Sequence, residues 1–354
     1  MGPAPAVAAV RVAVRRTLPV LSDGKGGTWV PDVRRGTPVL VACSGGADSL
    51  ALLAAAVFEL RRSQVRVVGA VVDHGLQEGS AEHTAEVVAQ MAAIGADETA
   101  SIRVRVDAGP RGIEAGARHA RYAALAQLAE HFGAGRVLLG HTMDDQAETV
   151  LLGLTQGSGG RSLSGMRRGF SADEGPHATR FERPLLDVTR AQTEAACRAQ
   201  GITWWDDPHN TDPRFVRSRV RHTVMPVLER ELGPGVAAAL ARTGHLVRED
   251  LDALDDLAER ELAESDFVAG VSVASIETLP LAVRKRVLRL AALRAGCPPR
   301  ELTHGHVTAL EEMVWERRGE PRDLDLPGHV RAVRRQDVLR LVPSPAGGPG
   351  AVAG

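Results

Sequence analysis

The chain has 354 residues, and at roughly 100–200 residues per domain that makes two or three domains. Lys and Arg number 43 against 44 Asp and Glu, and 44% of residues are hydrophobic, a composition that excludes wholesale disorder. The longest apolar run, Leu50–Phe58, is about half a membrane span, the first residues lack the charged start, apolar centre and small-residue exit of a secretory signal, and Cys43, Cys197 and Cys297 lie far apart with no Cys-x-x-Cys. Disulfide scaffolds, structural zinc and membrane spans are therefore not expected, and a cytoplasmic location is.

Taken in chain order, Ala6–Val20 has the character of an added helix, followed by a loop over Ser22–Gly36. Val39–Cys43 is a short apolar run that enters a Gly-rich turn, and Leu50–Leu60 follows with helix formers. The alternation continues through a β-branched run at Val65–Val72, a helix at Ala81–Ala93, a strand at Ile102–Val106 and a long Ala-rich helix at Ile113–Phe132. Arg136–Gly140 is another apolar run, and a helix is predicted from about Asp144 to Leu154. Repeated strand–helix units of this kind give an α/β fold, a doubly wound parallel sheet with helices on both faces. After about residue 225 the pattern changes. Val236–Leu262, Leu281–Ala295 and Thr303–Arg317 read as helices and Val330–Val342 as a hairpin, a smaller and mostly helical second domain. The expected division is 1–36 for the N-terminal helix and linker, 37–228 for the α/β domain, 229–343 for the helical domain and 344–354 for a Pro/Gly/Ala tail.

The near-zero net charge of -1 conceals local asymmetry. Arg11–Arg35 carries six basic and two acidic residues, Arg214–Arg221 four arginines and no acid, and Leu281–Arg300 six basic residues and no acid. Glu249–Glu264 carries eight acids and one arginine. Separate basic patches suit a polyanion held in one orientation, although solvated helix faces would read the same way. Only Lys25 and Lys285 are lysines, which reflects base composition before it reflects function. Aromatic residues at 3% argue against a broad base-stacking surface.

The sharpest local signal is Ser44-Gly45-Gly46-Ala47-Asp48-Ser49, where a buried strand ends and a helix begins. Glycines there let backbone N–H groups approach an anion at the positive end of the helix dipole, and the Ser44 and Ser49 hydroxyls can donate to phosphate oxygens. Asp48 conflicts with a bare phosphate pocket unless Mg²⁺ or a ribose contact intervenes. The alternative is a Gly-rich turn with a helix cap. Ser44, His74 and His141 all fall just past the carboxyl ends of predicted parallel strands, the edge at which open α/β sheets bind ligands. Asp144, Asp145 and Glu148 open the next helix. Asp145 and Glu148 share a face that could hold Mg²⁺ or an ammonium group, or the acids could simply cap the helix. Arg118 and Arg121, three apart on a helix, could face one anion or form a solvated face with Glu114. Trp204 and Trp205 read as packing before base stacking.

Several of these segments together resemble one family. Ser44–Ser49 is similar to the SGGxDS loop of the PP-loop ATP pyrophosphatases, HUP-like enzymes that cleave ATP between the α and β phosphates. Val72-Asp73-His74-Gly75-Leu76, Glu114–Tyr122, Gly140–Thr149, Arg183–Leu186, Trp205–Asn210 and Arg217–Arg221 then follow in the order of the tRNA(Ile)-lysidine synthetase family over roughly residues 38–230. Leu279–Val342 resembles that family's substrate-binding domain with lower specificity. The resemblance implies ATP and Mg²⁺, free L-lysine, and an isoleucine tRNA with a CAU anticodon whose wobble cytidine is adenylated and then converted to lysidine. It implies catalytic roles for Asp48, His141, Asp144 and Arg118, and nucleotide contacts from Ser44, Gly45, Gly46, Ala47, Asp48, Ser49 and His74. Asp48 and Asp144 would hold the metal, Asp145 and Glu148 the lysine, and Arg121, Arg214, Arg217, Arg219 and Arg221 the tRNA. The oligomeric state stays open, a homodimer included.

Two positions depart from the family pattern. His209 stands where Ser is usual and Ser218 where Asn is usual, which leaves those two without an assigned role. A tRNA thiolase of the same superfamily would need a cysteine pair or an iron–sulfur cluster, and the three isolated cysteines offer neither. An amide-forming synthetase would need an ammonia source. A nucleotide- or RNA-binding module that had lost its chemistry would be expected to lose its acids first, and Asp48 and Asp144 are present.

Overall fold

A computed structural model of the chain describes residues 2–18, 37–63, 65–75, 79–105, 113–156, 159–171, 178–207, 211–263, 267, 269–299, 301–315 and 321–344. The Ser22–Gly36 loop, His209 and the tail from 345 onward lie outside the described residues. The chain forms two compact units, Met1–Arg248 and Glu249–Gly354.

The first unit opens with helix α1 (Pro5–Thr17) and alternates through β1 (Val39–Ala42), α2 (Ala47–Leu60), β2 (Val67–Asp73), α3 (Ser80–Ile94), β3 (Glu98–Arg103), α4 (Ile113–Phe132), β4 (Arg136–Leu139) and α5 (Met143–Gln156). A short α6 (Gly160–Leu163), strands β5 (Gly169–Ser171) and β6 (Arg180–Glu182) and helix α7 (Arg190–Ala199) follow. Helix α8 (Val216–Arg219) passes through a π turn (Val220–Val224) into α9 (Met225–Leu232), and α10 (Val236–Ala263) runs into the second unit.

The six strands lie in the order β3-β2-β1-β4-β6-β5, parallel except for β5. Val39 of β1 stands opposite Val67 of β2 on one side and Arg136 of β4 on the other. The chain therefore winds outward from β1 in both directions, and the carboxyl ends of β1 and β4 flank the switch point where such sheets bind ligands. Pleating divides the side chains between two cores. Val39, Val41, Val67 and Val71 pack with α1, α2, α3 and α7, whereas Leu40, Ala70, Val137 and Leu139 pack with Leu125 and Ala129 of α4. Each fully buried Val or Leu contributes about 1.5–3 kcal/mol, so both faces are held and the doubly wound reading is correct.

Helix α1 buries Val7, Val10 and Val14 at helical spacing, with Leu18 beyond its end, against α2 and α7. Strand β3 begins at Glu98, earlier than the Ile102–Val106 alternation predicts, because it is an edge strand whose first residues are polar and pair only with β2.

The second unit contains α11 (Val273–Glu277), α12 (Leu281–Arg294) and α13 (His304–Trp315). It also carries a four-stranded antiparallel sheet in the order β7-β10-β9-β8, with β7 at Val271–Ser272, β8 at Arg322–Leu326, β9 at Val330–Arg335 and β10 at Val338–Pro343. The β9–β10 hairpin matches the sequence expectation; β7 and β8 were not foreseen, being two residues long and an acid–Leu alternation respectively. The basic run on α12 is largely absorbed within the unit. Arg284 is buried against Glu311 at 3.4 Å, Arg286 pairs with Asp255 at 2.8 Å, and Arg289 donates to the carbonyl of Leu302 at 2.7 Å.

Candidate active site

At the end of β1 the chain turns through Gly45, whose φ of +83° suits glycine. A Cβ at that position would also lie 2.8 Å from Val87 Cγ2 and 2.9 Å from His83 Cε1. The loop is braced on its outer side. Trp205 N–H donates to the Gly45 carbonyl at 3.0 Å, His83 Nε2 lies 3.3 Å from the Ser44 carbonyl, and the His83 and Trp205 rings pack with centroids 3.9 Å apart. Trp205 is thus a packing residue of the loop. Ser49 accepts the Ser44 N–H at 3.1 Å and donates to the Gly46 carbonyl at 2.9 Å. The buried Ser49 hydroxyl is spent inside the turn, while Ser44 is exposed. The N–H groups of Ala47 and Asp48 stand in the first turn of α2, where no intrahelical acceptor exists.

Asp48 is gripped from α7. Its Oδ1 accepts a close hydrogen bond from Thr193, and its Oδ2 lies 3.5 Å from Arg190 Nε. Burial raises the Asp48 pKa to about 6, only partly opposed by Arg190 and the Thr193 hydrogen bond, with Asp145 adding to the rise. Gly140, just past β4, runs alongside: a Cβ there would meet Ser49 backbone atoms at 3.1 Å.

The three acids of α5 share two arginine partners, Arg190 and Arg221. Asp144 Oδ2 accepts the Arg190 backbone N–H at 2.8 Å, at the start of α7. Asp145 caps its own helix, Oδ2 accepting from Thr142 N at 2.8 Å and Thr142 Oγ1 at 3.1 Å, while Oδ1 receives Arg190 at 3.1 Å and Arg221 at 2.8 Å. Glu148, 2% exposed, takes Arg221 on both oxygens. Burial would push Asp145 up, but Arg190 and Arg221 outweigh it and hold the carboxyl below its usual range. The Asp145–Glu148 face expected from spacing is real. Its four oxygens are already engaged by arginines and a helix cap.

A second cluster is cationic. Arg118 and Arg183 both donate to the Tyr122 hydroxyl at 3.2 Å, and Arg217 donates to Thr149 Oγ1 at 2.9 Å. Burial depresses Arg121; Tyr122 opposes it, and the guanidiniums of Arg118, Arg217 and Arg183 add smaller contributions to the fall. Among the described residues no carboxylate pairs with Arg121. His141 is lowered to about 3, by burial first and then by Arg183, with Arg121 and Arg118 adding to the effect against Asp145. His74 is lowered by burial and then by Arg121. The Nδ1 atoms of His74 and His141 are buried with no hydrogen-bond partner, which marks a place for a polar ligand.

The four arginines of 214–221 therefore divide. Arg217 and Arg221, four apart, turn inward to the two clusters, and Arg221 bonds Asp145 and Glu148. Arg214 and Arg219 remain exposed, Arg214 on Asp212 and Arg219 on the carbonyls of Pro213 and Arg214. Ser218 is buried. Sequence reasoning missed Arg190, Thr193 and the role of Arg183. The capping box formed by Thr189 and Gln192 announces α7 and could have exposed the first two.

The fold agrees with the comparisons. Residues 27–228 match the PP-loop domain family, and residues 272–340 match the TilS substrate binding domain. The fold is similar to that of the U34-tRNA thiolase NcsA from Methanococcus maripaludis, with a TM-score of 0.53 at 17% identity over 69% of this chain and 79% of that one. The first unit is a PP-loop domain. Over its length the chain is 48% identical to the tRNA(Ile)-lysidine synthase of Thermobifida fusca, across 95% of this chain and 97% of the relative. It is 48% identical to that of Streptomyces coelicolor, again over 95% and 97%, and 44% identical to that of Leifsonia xyli over 95% and 99%. The chain belongs to the tRNA(Ile)-lysidine synthase family.

Proposed function

We propose that this protein is an ATP-dependent, AMP-forming ligase that converts the wobble cytidine of a CAU-anticodon isoleucine tRNA to lysidine. The observation that carries the reading is the meeting, at one sheet edge, of a braced PP loop with an acidic cluster and a separate cationic one. Near-full-length similarity to lysidine synthases supports it. No helix among the described residues is long and apolar enough to cross a membrane, and work on tRNA suits the cytoplasm.

ATP would lie over Ser44–Ser49 with its phosphates at the start of α2. The attacking group is the 2-carbonyl oxygen of the cytosine. As its bond to the α-phosphorus forms, the bond to the bridging oxygen breaks and pyrophosphate leaves. That oxygen is a weak nucleophile, so in-line placement and charge neutralisation must provide most of the acceleration. Arg118 and Arg121, with Arg183 and Arg217 behind them, would meet the anionic oxygens. His141 is neutral at physiological pH, so it would act as a hydrogen-bonding group and not as a cation. Its Nδ1 and that of His74 are available to nucleotide or base. The cytosine must leave its loop stack to reach this site.

The acidic side suits cations. Asp48, Asp144, Asp145 and Glu148 face two guanidiniums, Arg190 and Arg221, which leaves negative charge in surplus. Asp48, with its pKa raised to about 6, is a carboxylate whose charge lacks full compensation. Mg²⁺ commonly takes one or two carboxylates and completes its shell with phosphate oxygens. The residues fit it: Asp48 and Asp144 would hold it, and it would neutralise phosphate charge as pyrophosphate departs. In the second step the lysine side-chain amine forms a bond to C2 of the cytosine and AMP leaves with the oxygen; the amine gives up its protons to the surroundings. Asp145 and Glu148 would draw the lysine ammonium through this surplus charge, sharing oxygens that the arginines already hold. The three thiols are buried, and burial pushes Cys43 and Cys197 up to about 12, which does not suit sulfur relay.

The test is incorporation of radiolabelled lysine into an isoleucine tRNA transcript bearing CAU, with ATP and Mg²⁺, beside a CAU methionine tRNA. Label in the first alone is expected. AMP and pyrophosphate release without label would point to thiolation or amidation instead, and no ATP turnover to a binding module.

A further inference from the structure

Helix α7 presents one face to the start of α2. Arg190, Thr193 and Cys197 are spaced i, i+3 and i+7, and all three contacts fall on Ala47 and Asp48: Arg190 Nε at 3.5 Å from Asp48 Oδ2, the Thr193 hydroxyl on Asp48 Oδ1, and Cys197 Sγ at 3.4 Å from the Ala47 carbonyl. Arg190 also reaches Asp145 at 3.1 Å, lies 3.9 Å from Glu148, and gives its backbone N–H to Asp144 at 2.8 Å. One residue thus touches all four carboxylates of the acidic cluster. Arg221 already bonds Asp145 once and Glu148 twice, so neutralising those two does not require Arg190. What Arg190 adds is the link to Asp48, the one acid that belongs to the PP loop.

We propose that Arg190 is a positioning residue: with Thr193 as a second tether, it sets the direction of the Asp48 carboxylate toward the nucleotide and couples the PP loop to the acids of α5. The guanidinium spans Asp48 and the α5 acids, so the two elements cannot shift independently. Removing it leaves Asp48 held by Thr193 alone, so the carboxylate is no longer fixed in the direction that the nucleotide and its Mg²⁺ require. This inference rests on the reading of Ser44–Ser49 as a nucleotide loop.

The experiment measures the Kd of Mg²⁺ with α,β-methylene ATP by calorimetry on the full chain, for the wild type, Arg190→Gln, Arg190→Lys, Asp48→Asn and the Arg190→Gln/Asp48→Asn pair. A residue that acts through Asp48 loses its effect once Asp48 is altered. Arg190→Gln is expected to weaken binding about tenfold, Arg190→Lys to recover most of the loss, and the double variant to bind no more weakly than Asp48→Asn. A loss that persists undiminished on the Asp48→Asn background overturns the proposal. So does a lowered melting temperature with unchanged affinity, which would make Arg190 a purely structural residue. If Arg190→Gln does not fold, Thr193→Val removes the other tether, and its loss of affinity must likewise vanish on the Asp48→Asn background. Wild type that binds no nucleotide would defeat the site reading itself, and the coupling with it.

Discussion

Arg221 donates from Nε and Nη2 to both carboxylate oxygens of Glu148, at 2.7 and 3.0 Å, and so ties α5 to the π turn that precedes α9. Glu148 is 2% exposed and Arg221 23%. Breaking a buried pair from one side strands a charge, at a cost of about 3–5 kcal/mol, whereas replacing both partners with apolar groups is far milder. Arg221→Met is expected to lower stability by about that amount in urea denaturation, and Arg221→Met/Glu148→Met to recover much of it.

Asp48 should weaken the fold that it serves. With its pKa raised to about 6, the folded chain keeps a proton that the unfolded chain releases near pH 4. Stability is therefore fully present at low pH and is lost as pH rises from about 4 through about 6, by at most about 3 kcal/mol. Relative to wild type, Asp48→Asn is expected to gain stability between pH 4 and pH 7 while abolishing tRNA-dependent pyrophosphate release. Paired denaturation and release assays check both halves.

His141 titrates in the opposite sense. Held at about 3 by burial and by Arg183, it stays neutral in the folded chain while the unfolded chain protonates near its ordinary value of 6.5. Wild type should thus lose stability as pH falls below about 6.5. His141→Gln is expected to be less acid-sensitive between pH 7 and pH 5, as measured by urea midpoints at the two values.

Arg121 sits beside Arg118, Arg183 and Arg217, and among the described residues no acid offsets it. Arg121→Met removes a buried like-charge repulsion, so it is expected to raise the melting temperature while lowering lysidine formation at least tenfold. A fall in both would show that Arg121 is a stabilising residue.

Arg219 lies exposed on the run that Arg217 and Arg221 leave for the interior. Arg219→Ala is expected to weaken tRNA binding and to reduce the slope of log K against log salt by about one, with ATP affinity unchanged. An effect on ATP affinity alone would remove Arg219 from the tRNA surface.

Much of this molecule is legible in local sequence. The Val39–Ala42 run, the Ser44–Ser49 turn and the Ile113–Phe132 helix each carry their own periodicity or glycine requirement, because strand pleat, helix repeat and the φ of Gly45 depend on neighbouring residues. The placement of Ser44, His74 and His141 at one sheet edge follows from their positions just past the carboxyl ends of parallel strands. Partner choice among charges does not. Thr193 reaches Asp48 across 145 residues, and Arg221 reaches Glu148 across 73, only because α7 packs on α2 and Val220 of the π turn packs with Ala147 of α5. A run of four arginines reads as one basic patch in sequence. Packing turns Arg217 and Arg221 inward, where Thr149, Asp145 and Glu148 accept from them, and leaves Arg214 and Arg219 in solvent.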